Sequence, residues 1–136
     1  MSKQGVTPIE VVEIFKDIIK DKVVCDVGCG TGELMEEMAK YTKRVIGIEE
    51  QPDIAVQSME KGFTVYVRNT FFEPLPDADI YYLWTKDAMG VYLKAKHEGT
   101  NGTFIFGETH RPSTLKFIKS LNPEIRAINN FTIYIV

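Results

Sequence analysis

Val23-Val-Cys-Asp-Val-Gly-Cys-Gly-Thr-Gly-Glu33 reads as a strand that breaks into glycines and reopens as a helix. Val23, Val24 and Val27 are β-formers, and Asp26 stands near the end of their run. Gly28, Gly30 and Gly32 alternate with Cys29 and Thr31. From Glu33 onward, Leu34, Met35, Met38, Ala39 and Tyr41 recur at helical spacing. Glycines let a backbone turn tightly and come close to a ligand, because no Cβ stands in the way. The N–H groups of such a loop, and the start of the helix behind it, are expected to point at an anionic group of that ligand.

The spacing argues against a dinucleotide. That fingerprint is G-x-G-x-x-G, with a third glycine or alanine where helix and strand pack closely. Here the corresponding position is Glu33, which is too large. A second strand, Arg44-Val-Ile-Gly-Ile48, follows about one short helix later and ends in Glu49-Glu50. An acid at that tip, beside the glycine loop, can accept both hydroxyls of a ribose. A nicotinamide dehydrogenase therefore fails on the glycine spacing, and the chain also lacks a substrate domain.

At these residues the chain resembles the class I S-adenosylmethionine-dependent methyltransferases, with Asp26-Val-Gly-Cys-Gly-Thr-Gly32 as their first motif and Val45-Ile-Gly-Ile-Glu49 as their second. The resemblance implies that Asp26 orders the loop and faces the methionine amino group. Gly28, Gly30 and Gly32 would line the methionine and ribose, and Glu49 would hold the ribose hydroxyls. The implied cofactor is S-adenosyl-L-methionine. The implied fold is α/β, a Rossmann-like doubly wound sheet, mostly parallel with an antiparallel C-terminal strand and helices on both faces.

The remaining chain alternates strand and helix in agreement. Thr7-Pro8-Ile9-Glu10 is a capping box with proline at the first helical position, opening a helix whose apolar stripe is Val11, Val12, Ile14, Phe15, Ile18 and Ile19. Gln51-Pro52-Asp53 opens another, which Gly62 stops; Phe63 to Val67 is a third strand. Pro74, Pro76 and Asp77 mark a loop before a fourth strand, Asp79 to Trp84. A helix from about Lys86 to His97, a strand Thr103 to Phe106 and a helix Arg111 to Leu121 follow. Alternation over Ile125 to Val136 predicts a single long terminal strand. One domain spanning 1–136 is expected, without repeats or linkers.

Parallel strands joined by helices bind ligands at their carboxyl ends. The candidates are therefore Gly28, Cys29, Gly30, Thr31 and Gly32 after the first strand, and Glu49 after the second. Arg68, Asn69 and Thr70 follow the third, Trp84 to Asp87 the fourth, and Gly107 to His110 the fifth. In the family an acid after the third strand usually binds the adenine amino group. This chain has Asn69, whose side-chain carbonyl can accept from the same amine. The family's apolar residue after the second-strand acid is here Glu50, so either Glu50 turns to solvent or a neighbour such as Phe71 or Ile48 covers the base.

Enzymes of this kind that methylate exocyclic or amide nitrogens often carry an Asn/Asp-Pro-Pro-Tyr run after the fourth strand. Leu83-Trp84-Thr85-Lys86 argues against that subclass. Trp84 and Lys86 are the substrate-facing candidates; core packing is the other reading of Trp84, and a first helical turn that of Lys86 and Asp87. The compact layout is similar to that of the small lysine-directed protein methyltransferases. Methyl transfer from a sulfonium needs an in-line nucleophile and exclusion of water, with a base for an amine or hydroxyl acceptor. His110 is the first candidate base, since an imidazole titrates near neutrality, and Glu108 is the second. A loop residue without chemical duty is the alternative at His110.

The expected function is methyl transfer to an unidentified acceptor, a protein side chain or a small molecule. The alternative is a module that binds the cofactor without turning it over, as the regulatory partner of a larger enzyme. A net charge of −3 over 136 residues leaves no electrostatic footprint for nucleic acid. Cys25 reads as core filler and Cys29 as a small residue tolerated in the loop, with no ligand set for a metal. No apolar run approaches ~20 residues and no signal segment is visible, so a cytoplasmic protein is expected, with a homodimer or a partner protein completing the acceptor surface.

Overall fold

A seven-stranded sheet organises the computed structural model, which describes residues 9–129 and 131–136. After a 3-10 turn at Ile9–Val11, the elements are α1 (Val12–Ile19), β1 (Val23–Val27), α2 (Glu33–Met38), β2 (Arg44–Ile48), α3 (Pro52–Glu60) and β3 (Thr64–Tyr66). Then come β4 (Ile80–Leu83), α4 (Ala88–His97), β5 (Thr103–Phe106), α5 (Pro112–Ser120), β6 (Glu124–Ile128) and β7 (Phe131–Ile135). The expected capping residues Thr7 and Pro8 lie outside the described residues.

Spatial order is β3-β2-β1-β4-β5-β7-β6. The first five strands run parallel, and β7 joins β5 antiparallel. The order therefore reverses between β1 and β4, and there the loops after both strands lead away from each other and leave a crevice.

Side chains alternate across the pleat and build two cores. Val24, Val45, Ile80, Tyr82, Ile105 and Ile133 face α1, α2 and α3, with Phe15 of α1 stacked on Tyr82 at 5.6 Å between ring centroids. Cys25, Ile46, Tyr81, Leu83, Phe104 and Tyr134 face α4 and α5, where Tyr92 meets Phe104 edge-on at 5.0 Å. Both faces of the parallel strands are covered, which is why those strands read as near-continuous apolar runs. Among the described residues no helix is long and apolar enough to cross a membrane.

The expected single terminal strand is two. β6 and β7 pair antiparallel, ending at Ile128 opposite Phe131. Asn129 takes a left-handed φ of 52°, a conformation that asparagine tolerates better than most residues and that tight hairpins require. The alternation on either side of the turn kept the same phase, so it looked continuous.

Candidate functional site

β1 and β2 deliver the site's first two parts in register. Val27 pairs with Ile48, and the ladder continues past both strand ends because the N–H groups of Gly28 and Cys29 donate to the Ile48 carbonyl at 2.8 and 2.9 Å. Gly28, Gly30 and Gly32 have φ values of 79°, 59° and 95°, a sequence of left-handed residues that only glycine adopts without strain. The alternating glycines thus follow from backbone geometry before any ligand is considered.

Glu49 is 2% exposed. Its Oε1 accepts the Gly30 N–H at 3.0 Å and its Oε2 accepts the Gln51 N–H at 3.2 Å. Both oxygens are thus engaged, and the two amides fix the carboxylate at the tip of β2. The Gly32 N–H donates to the Cys29 carbonyl at 3.2 Å. Four amides of the loop, on Gly28, Cys29, Gly30 and Gly32, are therefore spent inside the protein. This corrects the expectation that these N–H groups point at an anion: those of Gly28, Cys29 and Gly30 face the second strand and its acid, that of Gly32 closes the loop on itself, and α2, with six residues, is too short to add a strong dipole. Thr31, half-buried, hydrogen-bonds the Glu33 carboxylate through its hydroxyl. Asp26 lies on β1 with no exposed surface, on the α1 side of the sheet opposite Tyr82 in register.

A cleft opens at the crevice, lined by Val27, Gly28, Ile48, Glu50, Arg68, Thr70, Phe71, Thr85, Lys86, Asp87 and Val91. Glu50 is exposed and lines the cleft, and Ile48 and Phe71 supply apolar wall. Asn69 uses its side-chain oxygen to accept the Phe71 N–H at 2.9 Å, and its carbonyl accepts from Phe72 and Glu73. That turn presents Thr70 and Phe71 to the cleft. Arg68 lies over the Tyr66 ring at 4.7 Å and donates to the Pro74 carbonyl at 2.7 Å, bracing the same turn.

Past β4 and β5 lie the acceptor-side candidates. Trp84 is half-buried, donating its indole N–H to the Glu108 carbonyl at 2.6 Å and meeting Phe131 edge-on. Lys86 is exposed on the cleft rim. Asp87 stands at the N-cap of α4 without a side-chain cap bond and lines the cleft. Glu108 accepts the Thr132 N–H at 3.2 Å, and its other oxygen is 3.6 Å from Nε2 of His110. The His110 side chain is 89% exposed. The cleft thus brings together Gly28, Thr70 and Lys86, whereas Glu49, bonded to Gly30, is not among its lining residues, and Trp84 and the Glu108–His110 pair lie past β4 and β5. Among the described residues no cluster of His, Cys, Asp or Glu could hold a metal ion.

Among the solved structures that resemble the chain over nearly its whole length is an RNA methyltransferase from Salinibacter ruber in complex with S-adenosyl-L-homocysteine, with a TM-score of 0.73 at 17% identity, covering 96% of this chain and 92% of that one. The fold is that of the class I S-adenosylmethionine-dependent methyltransferases. Two curated methyltransferases match in sequence. Protein arginine N-methyltransferase 1 of Saccharomyces cerevisiae is 35% identical over 109 residues, 67% of this chain and 31% of that protein. An uncharacterized methyltransferase of Schizosaccharomyces pombe is 35% identical over 63 residues, 42% of this chain and 24% of that protein. The chain spans about a quarter to a third of the length of these relatives. No family model matches it.

Sequence reasoning passed over Ser58, whose hydroxyl donates to the Gly30 carbonyl at 2.7 Å from the last turn of α3. The available signal was a small hydroxyl on the buried stripe of a helix, next to Ala55.

Proposed function

We propose that the protein is an S-adenosylmethionine-dependent methyltransferase acting on an unidentified acceptor, a protein side chain or a small molecule. One observation carries the reading: the buried Glu49 carboxylate is held beside a glycine loop in which the amides of Gly28, Cys29, Gly30 and Gly32 are already spent. A pyrophosphate needs free amides, whereas a nucleoside without phosphate needs an acid for its ribose. The position of a Cβ on Gly30 has nothing within 4 Å, so the loop leaves open the space a bound ligand would fill.

The cofactor, when bound, supplies a methyl group already activated by its sulfonium. Glu49 would hold the ribose hydroxyls, and Ile48, Val27, Val91 and Phe71 would enclose the base, with Thr70 at its polar edge. Gly28 to Gly32, with Asp26 behind them, would line the methionine end. Lys86 and Trp84 would orient the acceptor, and His110, backed by Glu108, would take its proton. The exposure of His110 fits a group that an incoming acceptor covers and desolvates. Relatives named for methylation of protein arginine and of RNA support methyl transfer as the reaction class.

Calorimetric titration with S-adenosylmethionine and with S-adenosylhomocysteine, against NADH as control, tests the cofactor. Micromolar affinity for the first two is expected. Binding of NADH alone would sink the reading. Transfer of labelled methyl to peptides and small amines, in the wild type and in His110→Ala, then tests the acceptor class and the base.

A further inference from the structure

Ser58 has no solvent-exposed surface. A serine inside a helix ordinarily turns its hydroxyl to a carbonyl of the preceding turn. This one instead reaches 28 positions back in sequence, to the Gly30 carbonyl at 2.7 Å. The N–H of the same glycine donates to Glu49 Oε1 at 3.0 Å. Gly30 is thus gripped on both its polar groups, by the acid at the tip of β2 and by the hydroxyl of α3.

The Gly30 carbonyl also receives a long contact from the Cys29 thiol, at 3.8 Å. Gly30 sits at a φ of +59° with nothing within 4 Å of its Cβ position, and a glycine in that region can turn the peptide that follows it at low cost. Nearby Gly32 shows that the contact is built in: a Cβ there would lie 2.8 Å from Ser58 Oγ, so the third glycine keeps open the room the hydroxyl needs. Just past the end of α3, Lys61 pairs with Glu36 of α2 at 2.9 Å, linking the two helices at the surface.

We propose that Ser58 is a cofactor-positioning residue: by holding the Gly30 carbonyl it keeps the loop's open side facing the ligand and the Gly30 N–H on the ribose acid. This role rests on reading the crevice as the S-adenosylmethionine site. Ser58 touches no ligand and acts through Gly30. Without it the Gly30–Thr31 peptide can rotate its carbonyl into the space that the ligand occupies, and the Glu49 carboxylate loses its fixed neighbour.

A mutant cycle on the full chain tests this, with S-adenosylhomocysteine as the probe. Ser58→Ala should weaken binding by about tenfold, the scale of one buried hydrogen bond. Glu49→Gln should weaken it by a similar or larger factor. If both act through Gly30, the double variant should lose only about threefold more than the worse single one, as expected for residues in one network. In the unliganded protein, amide exchange at Gly30 and Thr31 should accelerate in Ser58→Ala, while Gly28 and Cys29, held by β2, stay unchanged. Losses that multiply fully, or unchanged affinity and exchange in Ser58→Ala, overturn the role of Ser58 alone. A wild-type protein that does not bind the probe overturns the cofactor reading and this role with it.

Discussion

Cys29 fills the space above Gly47: a Cβ at Gly47 would come within 2.7 Å of the Cys29 Sγ and 2.9 Å of the Met35 Sδ. The glycine in the middle of β2 is therefore a seat for the loop, and Cys29, 4% exposed, is its plug rather than a tolerated small residue. Gly47→Ala should destabilise the fold by about 1–3 kcal/mol, as overpacking does. Adding Cys29→Ala should recover part of that loss. Urea unfolding of the three variants measures both effects.

Gly30→Val tests the open side of the loop. The branched side chain would project where nothing now stands, at a φ that disfavours it by about 1–3 kcal/mol. Binding of S-adenosylhomocysteine should be lost while far-ultraviolet circular dichroism is retained. Preserved affinity would move the ligand away from Gly30.

Glu49→Ala should cost about 1–3 kcal/mol of cofactor affinity, the range for a charge-assisted hydrogen bond lost from a buried acid. The variant also strands the Gly30 and Gln51 N–H groups, so a lower melting temperature is expected. Adenine, which has no ribose, should bind the variant and the wild type alike. A drop for both ligands would mean that the loop, not the ribose contact, had failed.

Tyr81 predicts a pH dependence. Its phenol donates to the Pro76 carbonyl at 2.6 Å and accepts the Ala78 N–H at 3.0 Å, and burial pushes its pKa from 10 up to about 12. The folded state therefore holds this proton more tightly than the unfolded chain. The resulting stabilisation is fully present below pH 10 and is lost as the pH rises through about 12. Near-ultraviolet absorbance should show Tyr81 ionising well after the exposed tyrosines, with Tyr134, raised by its burial, also late. Tyr81→Phe should flatten the alkaline limb of stability and cost about 1–2 kcal/mol by orphaning the two backbone groups.

Much of the fold was legible because the period of a side chain reports its surroundings. β2 and β5 begin and end where their apolar runs do, and the strand-loop-helix at Val23 to Glu33 folds as read. The terminal hairpin was not legible, because Asn129 and its neighbour interrupt the alternation without shifting its phase. Glu49 was recognisable from the glycine loop before it and its place at a strand tip. Ser58 was not, since a serine on a helix stripe carries no mark of a partner 28 residues away.

The sequence by itself determined the βα order, the glycine positions and the acid after β2, because these follow from local backbone geometry and the two periods of burial. Only the tertiary structure decided where the loop's amides go. Parallel pairing of β1 with β2 brings the Ile48 carbonyl and the Glu49 carboxylate within 3.0 Å of three successive N–H groups, and a hydrogen bond formed there is no longer available to a phosphate. That closure depends on register between segments about twenty residues apart, which no local pattern encodes.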